Sequence, residues 1–267
     1  MASPMLNDRS WNKAAQDPGW AAPDASTRAM PITDGPISPW RSGVMTVNGT
    51  LTASGVLMVL LLAAATVGWQ MGPDNSGGAN GFPALALVGM LVGFACVIAM
   101  YFKPTMAKVL APIYALGEGF FLGVISKAYE NYRDGIVVQA IGATLGVFVV
   151  MLVLYRTQII KVTDKFRRVI ITATLGLMAF YLVALVINLF GGDVPFLHSG
   201  SMFGIAFSLF AAGLAAMNLA LDFDFIERGA KQGLPKGMEW FAATALIVTL
   251  VWLYLEMLRL LSNLARR

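Results

Sequence analysis

Between Val47 and Leu261 the chain alternates long apolar runs with short polar segments. Seven runs are legible: Val47 to Trp69, Phe82 to Tyr101, Met106 to Ile125, Ile136 to Tyr155, Val169 to Phe190, Met202 to Phe225 and Trp240 to Leu261. A hydrocarbon core of roughly 30 Å needs about 20 residues of helix, which each run supplies. Backbone N–H and C=O groups in lipid must be satisfied within their own segment, so such runs are read as helices. The pattern predicts an all-α, polytopic membrane protein with seven transmembrane helices in one bundle.

Composition sharpens this. Hydrophobic residues make up 57% of the 267 and charged residues 13%, which excludes an ordinary water-facing domain. Residues 1–45 form a leader rich in Pro, Ala, Ser and Asp. Its few large apolar side chains cannot offset the entropy of ordering, so it is expected to be a disordered cytoplasmic segment. The first apolar run lies too far from the N-terminus for a cleavable secretory signal. The seven-helix transmembrane domain is then expected over 46–262 and a basic C-terminal tail over 263–267. The one cysteine, Cys96, excludes an intramolecular disulfide or a thiolate cluster.

The basic excess follows topology, because Lys and Arg gather in alternate loops. Lys103 and Lys108 flank the second loop, Arg156, Lys161, Lys165, Arg167 and Arg168 fill the fourth, and Arg228, Lys231 and Lys236 the sixth. The N-terminus is therefore expected on the cytoplasmic side of the membrane, and no nucleic-acid partner is expected. Arg259, Arg266 and Arg267 at the far end run against the rule. Either the last span re-enters without crossing, or those arginines snorkel to the headgroups.

Small residues must supply much of the packing in lipid. GxxxG spacing at Gly89/Gly93, Gly119/Gly123 and Gly142/Gly146 is expected to mark helix contacts. In the sixth run Gly204, Ser208, Ala211, Ala215, Asn218 and Asp222 recur at steps of four and three, placing them on one face. That face should look into the bundle, with Phe207, Leu209, Phe210 and Leu214 packing elsewhere.

The candidate chemistry lies in four acids within the apolar runs: Glu118, Asp222, Asp224 and Glu256. A charge at mid-membrane costs roughly 2.5 to 3.5 kcal/mol on insertion scales, which makes such a residue a functional candidate. Glu118 is expected near mid-membrane and Asp222 somewhat shallower, roughly one and a half to two turns inside the cytoplasmic boundary. Asp224, about 200° around the helix from Asp222, can pair with Arg228 four residues later. Glu256 has Arg259 three residues on.

Desolvation disfavours a charged carboxyl. Two buried acids sharing a proton can hold helices together, and loss of that proton opens the contact or admits a cation. Calcium wants about six to eight oxygen ligands. Glu118, Asp222, Asn218 and backbone carbonyls supply only some of them, so no tightly bound metal or other cofactor is expected, only transient calcium. In the competing structural reading each acid is protonated and hydrogen-bonded between helices.

Enzymatic readings lack parts. The sole histidine, His198, falls in a loop beside Ser199 and Ser201 without a nucleophile-elbow setting. Hydrolysis by a metal would require several ligands at one depth. A retinal pigment would require a lysine on the last helix, and it has none.

Three segments carry a resemblance: Ala111-Pro-Ile-Tyr-Ala-Leu-Gly-Glu-Gly-Phe-Phe-Leu-Gly-Val-Ile-Ser126, Leu221-Asp-Phe-Asp-Phe-Ile-Glu227, and Met238-Glu-Trp with Trp252-Leu-Tyr-Leu-Glu-Met-Leu-Arg-Leu-Leu261. Together they resemble the bacterial branch of the Bax inhibitor-1 (YccA-like, TMBIM) family. The resemblance implies a seven-helix bundle and a pH-sensitive calcium leak channel, with the lipid bilayer, calcium or other cations and a membrane protease as partners. The family's sixth helix carries an aspartate in an Asp-x-x-x-Ile pattern, paired with an acid on the seventh. Asp222 matches the aspartate, since Ile226 follows. Leu253-Tyr-Leu-Glu256 resembles the family's Leu-Tyr-Leu-Asp and selects Glu256 as partner. A second register, anchored on Leu258-Arg-Leu, places the stretch around Thr249 there instead and leaves Glu118 as the partner. The alternative function is a non-catalytic interaction protein that modulates a membrane protease or stress response.

Overall fold

A computed structural model describes residues 43–73, 84–190 and 201–266. They form seven long helices: α1 (Val47–Met71), α2 (Ala84–Phe102), α3 (Ala107–Tyr132), α4 (Ile136–Arg156), α5 (Asp164–Leu189), α6 (Met202–Lys231) and α7 (Met238–Ala265). All seven are long and apolar enough to cross a membrane; α3 is preceded by a 3-10 turn, Pro104–Met106, that lies within its span. The leader residues 1–42, His198 and Ser199 lie outside the described residues.

Local chemistry sets the helix starts. Thr46, Thr163 and Ser201 accept from the backbone N–H groups of Gly49 (2.9 Å), Phe166 (3.2 Å) and Gly204 (3.1 Å), satisfying donors that a helix leaves unpaired. At α4 the Glu130 carboxylate takes the N–H groups of Gly135 (2.6 Å) and Val137 (3.1 Å), an anion at the positive end of the helix. Gly135 has φ 80°, a turn that glycine makes without a Cβ clash.

Several helices outrun their apolar cores. α3 continues to Tyr132, α6 to Lys231 and α7 to Ala265, and α5 begins at Asp164. Backbone hydrogen bonding continues past each apolar run through residues that include charged and polar side chains. Residues 263–265 therefore belong to α7 rather than to a tail. The start of the body also moves: Val44 bridges Pro235, Met45 N–H donates to Leu234 O (2.7 Å), and Met45 is buried.

α7 is the most buried span and packs on α1, α3, α4 and α6, whereas α5 is the least buried and packs on α6. α7 is one continuous helix, and at its far end Arg266 lies 5.1 Å over the Tyr132 ring at the end of α3. It therefore runs the length of the bundle as α3 does.

Glycines let the backbones around α3 approach. Cβ atoms built on Gly119 and Gly123 would strike the carbonyls of Leu61 and Ala65 on α1, and one on Gly68 would strike Phe120 O. On the other side Gly89 and Gly117 face each other, each 2.7–2.8 Å from the partner's carbonyl measured from an added Cβ. Gly142 and Gly146 are exposed with nothing within 4 Å of an added Cβ, contrary to the expectation of a contact. α4 instead buries Ile136, Val137, Ala140 and Thr144. The spacing alone does not say which face meets a neighbour.

Candidate functional site

The four acids separate into clamped and unclamped pairs. Asp224, 6% exposed, accepts from Arg228 Nε (2.8 Å) and Arg167 Nη2 (2.7 Å). Arg228 also donates to Val162 O (3.0 Å), so the end of α6 is bolted to the segment that starts α5. Glu256, 2% exposed, accepts from Arg259 Nη1 (3.1 Å), Tyr181 Oη (2.8 Å) and Trp252 Nε1 (3.2 Å). Tyr181 in turn accepts from Arg259 Nη1 at 2.5 Å. A buried carboxylate with a guanidinium and two further donors is a satisfied structural ion pair.

Asp222 differs. It has no ion pair among the described residues, and its Oδ2 is sealed from solvent with no hydrogen-bond partner. The side chain beside its carboxyl belongs to Thr249 of α7. Thr249 Oγ1 also lies within hydrogen-bonding reach of Ala245 O (3.1 Å), so its one proton and two lone pairs are divided between Ala245 and Asp222. One turn earlier Asn218 Nδ2 donates to Thr174 Oγ1 (2.8 Å) and Leu214 O (2.9 Å).

Glu118 is half-buried on α3 and has no hydrogen bond or ion pair among the described residues. Its Oε2 lies 3.0 Å from where a Gly93 Cβ would stand, with Tyr114 alongside. Gly93 thus makes room for a carboxyl rather than for a helix backbone.

The acids expected to share a proton are not brought together. α3 packs on α1, α2 and α7, and α6 on α7, α4 and α5, so Glu118 and Asp222 belong to helices that do not form a packing pair. Glu256 is taken by Arg259 and α5. What α7 offers Asp222 is Thr249, the residue at the centre of the second register. Of the α6 stripe, Gly204, Ser208, Ala211 and Ala215 are buried and Asn218 and Asp222 half-buried, while Leu214 is also buried, against α5. Sequence reasoning missed the α5 contributions. Arg167, Thr174 and Tyr181 recur every seven residues along α5, a spacing that keeps them on one face.

Stability should separate the neighbouring aspartates. Asp224→Asn removes the charge that holds two half-exposed arginines and is expected to cost about 1 kcal/mol. Asp222→Asn is expected to be near neutral. Thermal unfolding in detergent orders the two, and the assignment is lost if Asp222→Asn falls further.

Residues 3–266 match the family described as Bax inhibitor 1 like. The chain belongs to that family. Membership over nearly the whole length agrees with the seven spanning helices and makes it a multi-pass membrane protein. No curated protein matches it. The neighbour of Asp222 on α7 is a hydroxyl, Thr249, and Glu256 is paired with Arg259 of its own helix.

Proposed function

We propose that the chain is a pH-sensitive cation leak channel, calcium being the cation it suits best, gated by protonation at Asp222. One observation carries the reading: a sealed Asp222 Oδ2 with no partner, two residues from an aspartate held by two arginines. As a neutral acid Asp222 can donate to the free lone pairs of Thr249 Oγ1. As a carboxylate it is acceptor-only, so Thr249 must swing its proton away from Ala245 O or the charge must find a cation. The site has two arrangements separated by one proton, which is what a gate between α6 and α7 requires.

Asp222, Thr249 Oγ1 and Asn218 Oδ1 fall well short of the six to eight oxygens of a tight calcium site. Water would complete the shell, which suits passage rather than storage. Glu118, on α3 beside Gly93 of α2, is a second acid along the bundle that could gain or lose a proton. The protein is read as non-catalytic. Its basic ends support placing the α6–α7 loop, and the segment around Val44 and Met45 that pairs with it, in the cytoplasm of an inner membrane.

Liposomes loaded with a calcium dye test the gate. Flux should rise with pH, because loss of the Asp222 proton creates the negative charge that draws a cation in. Asp222→Asn should reduce the pH-dependent component more than about tenfold, given roughly 2.5 to 3.5 kcal/mol for an unneutralised charge at mid-membrane. Thr249→Val should shift the pH response. Traces that stay flat at every pH would favour the non-catalytic interaction protein acting on a membrane protease.

A further inference from the structure

At the end of the bundle opposite the basic loops, α3 and α7 enclose a pocket of about 210 Å³ lined by Tyr129, Tyr132, Arg259, Ser262, Asn263 and Arg266. Among the described residues its lining holds two guanidinium groups and no carboxylate side chain. We propose that this pocket binds a phosphate-bearing anion, supplied by the headgroup of an anionic phospholipid.

Three features point to an anion. Arg259 commits only Nη1 to Glu256 and Tyr181; its Nη2 and Nε have no acceptor among the described residues. Guanidinium carries five donors in a planar fork that matches phosphate oxygens. Its orientation is fixed, because the group stacks 4.9 Å from the Tyr181 ring centroid while Nη1 is held. A preformed fork loses little freedom when it takes a ligand.

Two hydroxyls are also idle. Ser262, 5% exposed, and Tyr129, half-buried, have no side-chain hydrogen-bond partner among the described residues. Arg266 closes the outer side over Tyr132. Donors outnumber acceptors around this space, the opposite of what a cation would need. Asn263 Nδ2 is turned inward to Ser208 Oγ (3.1 Å), which ties the pocket floor to α6.

Depth identifies the source. Arg266 follows the last residue of α7 and Tyr132 ends α3, while Arg259 lies about 10 Å deeper by helical rise. The pocket therefore spans the headgroup layer, where a diester phosphate resides. It also accounts for arginines on the face where the positive-inside rule expects few. The proposal is independent of Asp222 and its gate.

The test uses the full chain purified in detergent, titrated with phosphatidylglycerol, phosphatidylcholine or inorganic phosphate and followed by thermal unfolding. Phosphatidylglycerol is expected to raise the transition temperature saturably, with phosphatidylcholine giving less. Arg266→Gln should weaken the apparent affinity about tenfold, the scale of one charge-assisted contact, and Ser262→Ala by a smaller factor. Both variants leave the Glu256–Arg259 pair intact and should unfold like the parent without lipid. Inorganic phosphate reproducing the effect alone would support the anion site with a soluble source. Equal shifts from the two lipids would overturn the proposal. So would Lys161→Gln, a surface charge on the opposite face, weakening the response as much as Arg266→Gln, because attraction would then be generic.

Discussion

Arg259→Met is expected to be among the most damaging single substitutions in the bundle, costing about 3 to 5 kcal/mol. Glu256 is 2% exposed and would keep only Tyr181 and Trp252 as donors. A carboxylate stripped of its cation in that setting retains its desolvation cost without the attraction that offset it. The adjoining Tyr181 ring also loses the cation stacked on it. Adding Glu256→Gln should recover most of the loss, since an amide can still accept from the tyrosine and the indole and carries no charge. Thermal unfolding of the single and double variants in detergent measures both steps. A single variant as stable as the parent would show that Glu256 does not depend on this partner.

Gly123→Val ranks beside it. The valine Cβ would meet Ala65 O, with Ala65 C and Trp69 N both at 2.8 Å, all of it α1 backbone. No side chain can rotate out of the way, so α1 must move bodily, at or above about 3 kcal/mol on the scale of overpacked cores. Gly142→Val is the matched control: an added Cβ meets nothing within 4 Å. Size-exclusion profiles and unfolding temperatures should show the first variant depleted and the second unchanged. Equal behaviour would mean that close approach of α1 and α3 is not what holds that pair.

The fold was legible because lipid leaves so few options. Runs of sufficient length must be helices, and the loops must lie between them, so seven spans emerge from hydropathy with only their ends displaced. The ends moved because backbone hydrogen bonding continues past the apolar runs of α3, α6 and α7. The Asp224–Arg228 and Glu256–Arg259 pairs could be seen from i, i+4 and i, i+3 spacing, since both partners share one helix. The neighbours of Asp222 could not, because contacts between helices depend on rotation and register, which a single sequence constrains weakly. That is why Thr249 stands where an acid was sought, and why Gly142 and Gly146 carry the motif of a contact they do not make. The role of Gly93 was hidden for the same reason: its neighbour is a side chain from another helix.

α5 is fastened by three polar teeth at seven-residue intervals: Arg167 to Asp224, Thr174 to Asn218 and Tyr181 to Glu256. Successive teeth stand about 10 Å apart along the helix. Each grips independently, so the helix can peel from one end while the other stays zipped. Loosening Tyr181 would swing the distal half of α5 into lipid and leave its first turns anchored. A rod attached this way behaves as a side panel hung on α6 rather than as part of the packing around α7.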